Sequence, residues 1–122
     1  MTEHAQALAE IQVVLQEIAQ RRSVIFYSEL TPQIKSMYLE PNSDLLAELL
    51  DGISRDSNSK EKGMLSAVVI RKGEEPLPGP GFFKLAQELD KAVGPSPDLE
   101  EKLVFHATEL KLVHDAYADR RP

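Results

Sequence analysis

The chain has 122 residues, 42% hydrophobic and 28% charged, with a net charge of −6 at pH 7; this size suits one domain, residues 1–122, that buries about two thirds of its unfolded surface. Because it has no cysteine, disulfides, thiolate catalysis and cysteine-bound zinc are excluded. No apolar run approaches the ~20 residues of a membrane span, and the polar start does not resemble a secretory signal, so we expect a cytoplasmic protein with no membrane partner.

The first element is a long amphipathic helix over residues 3–20. Leu8, Ile11, Leu15 and Ile18 recur at 3-4-3 spacing, which places them on one face of a helix. This stripe is more typical of a face that packs into a core than of a binding surface.

A short strand and two further helices are predicted next. Residues 23–27 form a β-branched and aromatic run, which indicates a strand. Ser28 or Thr31 then caps a short helix, with Pro32 suited to its first position. Leucines at helical spacing predict a second helix over residues 43–53.

The middle of the chain changes character twice. Residues 54–63 are uniformly polar, which predicts a mobile loop. Residues 64–71 are apolar and β-branched, which indicates a buried strand. Residues 78–81 read Pro-Gly-Pro-Gly and cannot continue a ladder, so they form a shaped loop that returns Phe82 and Phe83 to the core.

Two helices complete the chain. The first runs from Phe82 or Phe83 to about Val93, with Gly94 as a left-handed stop. Ser96 caps the last helix. Its predicted apolar stripe has 4-3-4-3-4 spacing, which suits packing on the first helix and self-association equally. The stripe comprises Leu99, Leu103, His106, Leu110, Val113 and Tyr117.

The charge is unevenly distributed. Residues 1–54 hold 3 Lys/Arg and 8 Asp/Glu (−5), residues 55–91 hold 7 and 6 (+1), and residues 92–122 hold 4 and 6 (−2). A polyanion therefore has only the middle segment to bind, where Arg55 and Lys84 accompany the cluster of Lys60, Lys62, Arg71 and Lys72. Interspersed charges of both signs also suit an ordinary solvated surface.

No group of residues forms a recognisable catalytic or metal site. His106 is the one histidine on the predicted apolar stripe, where a core role is commoner than a ligand role. Asp44, Glu48 and Asp51 lie opposite the apolar stripe of their helix, so we expect them to be solvated. Ser66 has no nucleophile elbow around it. We therefore predict no catalytic residue, no metal and no cofactor.

Three short segments resemble a known family. Residues 27–30 (Tyr-Ser-Glu-Leu), 66–70 (Ser-Ala-Val-Val-Ile) and 79–82 (Gly-Pro-Gly-Phe) are similar to the winged-helix, DNA-binding domain of alkylguanine-DNA alkyltransferases and alkyltransferase-like proteins. The family's Pro-Cys-His-Arg motif is absent, so the resemblance does not imply alkyl transfer. The stretch through Phe83 is also similar to segments of small uncharacterised bacterial proteins, which implies no function.

This resemblance implies an α+β, mostly helical fold with a winged-helix-like core between long amphipathic terminal helices. We expect a non-enzymatic protein-interaction or regulatory module whose partner is another protein or a second copy, as a homodimer through the terminal helices. The alternative is a nucleic-acid-binding module, which the three carboxylates of the second predicted helix oppose. An enzyme with a pocket near the Pro-Gly-Pro-Gly loop ranks last. The candidate contacts are Lys60, Lys62, Arg71, Lys72, Pro78, Gly79, Pro80 and Gly81.

Overall fold

The computed structural model describes residues 2–118, and its elements confirm the predicted α+β, mostly helical class. Across this range no helix is long and apolar enough to cross a membrane. The elements in chain order are α1 (Glu3–Gln20), β1 (Ile25–Phe26), α2 (Tyr27–Leu30), a 3-10 turn (Thr31–Gln33), α3 (Asp44–Ser59), a second 3-10 turn (Leu65–Val68), β2 (Val69–Ile70), α4 (Pro80–Glu88) and α5 (Leu99–Tyr117).

Helix α1 has the predicted bounds. The Thr2 hydroxyl accepts the Ala5 amide at 3.1 Å and so caps its first turn. Its fully buried positions are Ala7, Ile11, Leu15 and Ala19, while the flanking Leu8 and Ile18 are half-buried. The buried stripe therefore includes two small alanines, which allow close packing of α1 against the elements beneath it.

The sheet consists of two short strands that pair in parallel. Ile25 lies opposite Val69 and Phe26 lies opposite Ile70. Both strands are shorter than the predicted runs of residues 23–27 and 64–71. The sheet thus joins the start of the chain to its middle. Helices α1, α3 and α5 pack around the second 3-10 turn, Leu65–Val68, which leads directly into β2.

The segment Gly63–Ile70, called the central segment below, is buried throughout. The sequence predicts its burial, but residues 65–68 form a 3-10 turn rather than a strand. Side chains bind the amides that a neighbouring strand would bind: Glu109 accepts from Met64 at 2.8 Å, Ser57 from Leu65 at 3.0 Å, and Ser54 from Ser66 at 2.9 Å. Burial of these amides is tolerated because each has a partner.

The predicted mobile loop over residues 54–63 is wrong. Helix α3 continues to Ser59, and Ser54 and Ser57 are buried on its inner face. The Ser57 hydroxyl also donates to the Gly63 carbonyl at 2.6 Å. Polar composition indicates a loop only when the side chains are solvated, whereas these two serines bind backbone groups in the core.

The stop of α4 and the start of α5 also differ from the prediction. Helix α4 ends at Glu88, and Asp90 (φ 56°), not Gly94, adopts the left-handed conformation after it. Asp tolerates this conformation better than most residues. The last helix begins after Asp98, not Ser96, because the Asp98 carboxylate accepts the Glu101 amide at 2.8 Å.

Helix α5 is rotated relative to the predicted stripe. Leu99 and Leu103 are 45% and 40% exposed, whereas Phe105, His106, Glu109 and Val113 are buried. Phe105 meets the rings of Phe82 and Phe83 at centroid distances of 6.0 and 6.4 Å. These aromatic contacts and the Glu109 hydrogen bond fix which face of the helix turns inward.

His106 is a core residue that holds α5 to the central segment. Its Nε2 lies 2.8 Å from the Ala67 carbonyl oxygen, to which it donates, and its ring meets Phe82 edge-to-face. Burial lowers the pKa of His106 below its ordinary value of 6.5, although the hydrogen bond to Ala67 acts in the opposite direction. The folded protein therefore favours neutral His106.

This lowered pKa predicts a loss of stability in acid. Above about pH 6.5 His106 is neutral in both states; as the pH falls below 6.5 the unfolded chain binds a proton first, so the free energy of unfolding decreases until the folded pKa is passed. We expect urea denaturation between pH 8 and pH 5 to show this decrease in the wild type and a smaller one in His106→Gln. The glutamine amide still donates to Ala67 but does not titrate. Equal slopes for the two proteins would contradict the prediction.

Candidate functional site

A groove with a volume of 930 Å³ lies between α3 and α4. One end is lined by Tyr27 and Ser28 of α2 and by residues 41–43, which precede α3. A volume of this size falls within the ordinary range for binding sites, about 300–1,000 Å³. The groove is also lined by Gly79, Pro80 and Gly81. The least favoured hypothesis from the sequence, an enzyme, has its pocket near this segment.

The floor of the groove is apolar and already well packed. Leu46 and Leu50 of α3 and Phe82 and Leu85 of α4 are each less than 10% exposed. Ser66 of the central segment also reaches the groove. A bound segment would therefore contact a packed apolar surface, and no rearrangement of the floor would be needed to receive it.

Small residues on both sides keep the groove open. Ala47 lies on the exposed side of α3, and Gly81 lies in the first turn of α4. No atom lies within 4 Å of the place where a Cβ of Gly81 would be. A main chain or small side chain can therefore approach both helices closely at this point.

The charges of the groove are divided between two walls. The acidic wall lies on α3 and has a net charge of −2, from Asp44, Glu48, Asp51 and Arg55. The basic wall lies after β2 and on α4 and has a net charge of +2, from Arg71, Lys72, Lys84 and Glu88. Together the walls are neutral, so the groove presents a pattern of both charges rather than a surface of one sign.

Arg55 closes one end of the groove by joining the two walls. Its guanidinium bonds the Asp51 carboxylate at 2.7 Å on the same helix and the Glu88 carboxylate on α4. The hydrogen bonds to Asp51 and then Glu88 raise the pKa of Arg55 above its already high ordinary value. Arg55 therefore stays charged and ties the ends of α3 and α4 together.

Tyr27 fixes the start of α4. Its hydroxyl oxygen accepts the Gly79 amide at 2.9 Å, and Gly79 is the residue that precedes the first turn of the helix. Burial raises the pKa of Tyr27 above its ordinary value of 10, so the phenol remains protonated at physiological pH. The positive charge of Arg71, which also lines the groove, acts in the opposite direction on the pKa of Tyr27.

The structure separates the predicted basic cluster into two pairs. Arg71 and Lys72 line the groove, and the Lys72 ammonium lies 5.5 Å from the centre of the Phe26 ring. Lys60 and Lys62 do not line it: Lys60 pairs with Asp56 at 3.1 Å, and Lys62 lies 5.0 Å from the centre of the Tyr117 ring.

The predicted Pro-Gly-Pro-Gly loop is divided as well. Pro78 is buried, Gly79 lines the groove, and Pro80 and Gly81 are exposed there as the first residues of α4. Proline at the first helical position needs no amide partner, which explains why α4 begins two residues before the earliest predicted start. The aromatic residues that follow are buried, as predicted.

The expected solvation of the three carboxylates of the acidic wall is confirmed for two of them. Asp44 and Glu48 are exposed and Asp51 is half-buried. Among the residues that line the groove there is no histidine, and in residues 2–118 no three His, Asp or Glu side chains are placed to hold a metal ion.

Most residues that line the groove were not among the predicted contacts, and Ala47, Arg55, Lys84 and Glu88 are four of them. Arg55 and Lys84 stood out only as members of a positively charged segment. The 3-4 spacing of Asp44, Ala47, Asp51 and Arg55 is the signal that places them on one helix face.

Comparison of the chain with protein-family models, curated proteins and solved structures found no match.

Proposed function

We propose that the chain is a non-enzymatic protein-interaction or regulatory module that holds a segment of a partner protein in the groove between α3 and α4. The observation that carries this proposal is the pairing of an acidic wall and a basic wall over an apolar floor. Apolar contact supplies affinity, while charges of both signs supply specificity and orientation.

A winged-helix-like architecture is part of the proposal. The order α1, β1, α2, α3, β2 supports it, since a helix, a short strand, two helices and a strand follow one another as the resemblance implies. A solved structure of a relative would test whether the parallel pairing of β1 with β2 is a constant feature of this architecture.

Nucleic acid is the alternative occupant. Arg71, Lys72 and Lys84 all line the groove and favour it. Exposed Asp44 and Glu48 on the acidic wall oppose it, because phosphate groups in the same groove would meet both carboxylates. A protein segment can place a cation against the acidic wall, which a phosphate backbone cannot.

Self-association is the second candidate function. Leu99, Leu103 and Val104 of α5 are 45%, 40% and 63% exposed, so this terminal helix offers apolar contacts away from the groove. A homodimer formed through the terminal helices would leave the groove free for a further partner.

Site-specific photo-crosslinking in cells that express the natural protein tests the proposal. A benzophenone amino acid replaces Asn42, which is exposed and lines the groove, or Gln20, which is exposed on α1 and does not line it. Both positions carry neutral amides, so the pair is matched. We expect discrete adducts from position 42 that survive nuclease digestion and disappear with protease, and much weaker adducts from position 20.

A blocking variant sharpens the result. Gly81→Leu places a side chain in open space at the groove and should abolish the position-42 adducts, whereas Gly52→Leu, also in open space on α3 but away from the groove, should not. Adducts removed by nuclease would favour the nucleic-acid alternative. Adducts of twice the chain's mass from position 42 would indicate self-association through the groove.

A further inference from the structure

We infer that the groove takes an amphipathic helix of about three turns whose apolar stripe is flanked by basic residues on one side and acidic residues on the other. This inference rests on the proposed function and names the class of partner segment. It depends on the length of the walls, the absence of a strand edge in the groove, and the separation of charge.

The length of the occupant follows from the acidic wall. Its charged residues extend from Asp44 to Arg55 along α3. At 1.5 Å per residue this is roughly 16 Å, about the length of three helical turns. The Arg55 bridge to Glu88 limits the groove at one end, so a longer helix would extend past the other end, beyond Tyr27.

The groove offers no strand edge to an extended peptide. Neither β1 nor β2 lines it, and both walls consist of helical residues or of the residues just after β2. Extended peptides add to a sheet through backbone hydrogen bonds, whereas helices dock through side chains. The surface between α3 and α4 therefore favours a third helix.

The floor and the small residues set the apolar side of the occupant. Ala47 and Gly81 allow the helix axis to come close to α3 and α4, and the buried leucines and Phe82 offer an apolar contact beneath it. One stripe at i, i+4 and i+7 spacing is sufficient for this floor. A helix that is apolar all round would expose most of its surface to water.

The charges of the two groove walls determine which charges the bound helix carries on either side of its apolar stripe. A basic flank faces Asp44 and Glu48, and an acidic flank faces Arg71 and Lys84. A helix with flanks of one sign gains at one wall and is repelled at the other, so it binds more weakly than a mixed helix. If the helix docks in the reverse direction, its flanks exchange walls, so a mixed helix fits in one direction only.

Three synthetic helical peptides with the same leucine stripe test the inference. Their flanks are mixed (Lys on one side, Glu on the other), all Lys, or all Glu. By fluorescence anisotropy at low salt we expect the mixed peptide to bind about tenfold more tightly than either of the others. The difference should shrink as salt is added, because the flanking charges remain near solvent.

A charge-reversed protein provides the decisive comparison. In Asp44→Lys/Glu48→Lys both walls are basic, so the all-Glu peptide should become the tightest ligand by about tenfold. Gly81→Leu should weaken all three peptides and Gly52→Leu none. The inference is overturned if the mixed peptide shows no advantage, or if the reversed protein ranks the peptides as the wild type does. If that happens while the position-42 photo-adducts persist, the partner class is wrong and the proposed function stands; if the photo-adducts are also absent, both fail.

Discussion

Replacement of Glu109 by alanine is expected to lower the free energy of unfolding by about 3 kcal/mol. The Glu109 carboxylate is buried on α5, where it accepts the Met64 amide at 2.8 Å and pairs with the Lys91 ammonium at 3.2 Å. Its removal leaves a buried amide without an acceptor and an ammonium, 19% exposed, without its counter-ion. Urea denaturation monitored by circular dichroism measures the change.

Two further variants separate burial from charge. Glu100→Ala, exposed on the same helix, should change the free energy of unfolding by less than about 0.5 kcal/mol. Glu109→Gln keeps an acceptor for Met64 but loses the ion pair, so its cost should lie between the two. If Glu109→Ala were as stable as Glu100→Ala, the carboxylate would not be the partner on which the central segment depends.

The sequence predicts the outer layer of this fold better than its centre. The bounds of α1 follow from its apolar spacing, and the burial of residues 64–70 follows from their composition. The 3-10 turn at the centre depends on Ser54, Ser57 and Glu109, which supply partners from distant or apparently solvated positions. Local pattern cannot reveal such tertiary hydrogen bonds, so Ser54 and Ser57 fall within the predicted polar loop and nothing in the sequence distinguishes Glu109.

The candidate site was predicted only in part for a related reason. Arg71, Lys72 and the segment at residues 79–81 were selected from charge and turn composition, and these do line the groove. Arg55, by contrast, acts through Glu88, a residue 33 positions away. The sequence indicates which faces are polar, but the opposition of an acidic and a basic face depends on how α3 packs on α4.

The central segment connects the core to the groove. Its buried backbone is held by side chains of α3 and α5, and it ends in β2, which delivers Arg71 and Lys72 to the basic wall. Ser66 of the same segment shares a hydrogen bond of 2.6 Å with Ser54 and also reaches the groove. Correct formation of the segment is therefore a condition for both walls to face each other.

The turn at Gly63, which begins the central segment, is the site of the second substitution that we expect to lower the free energy of unfolding strongly. Gly63 has φ of +77°, and a Cβ there would lie 3.1 Å from side-chain carbons of Leu112 and Val113 and 3.2 Å from the Glu109 carboxylate. Alanine would pay about 1–2 kcal/mol for the left-handed conformation and more for crowding in a packed core. We expect Gly63→Ala to lower the free energy of unfolding by about 3 kcal/mol in total.

The matched control, Gly52→Ala, should change the free energy of unfolding in the opposite direction. Gly52 lies within α3, with no atom within 4 Å of its Cβ position and no left-handed φ, so Gly52→Ala should raise the free energy of unfolding by about 0.5–1 kcal/mol. Chemical denaturation of both variants at the same pH decides the point. If the two substitutions shifted the midpoint in the same direction, the left-handed turn packed under α5 would not be what limits position 63, and the account of the central segment given above would be wrong.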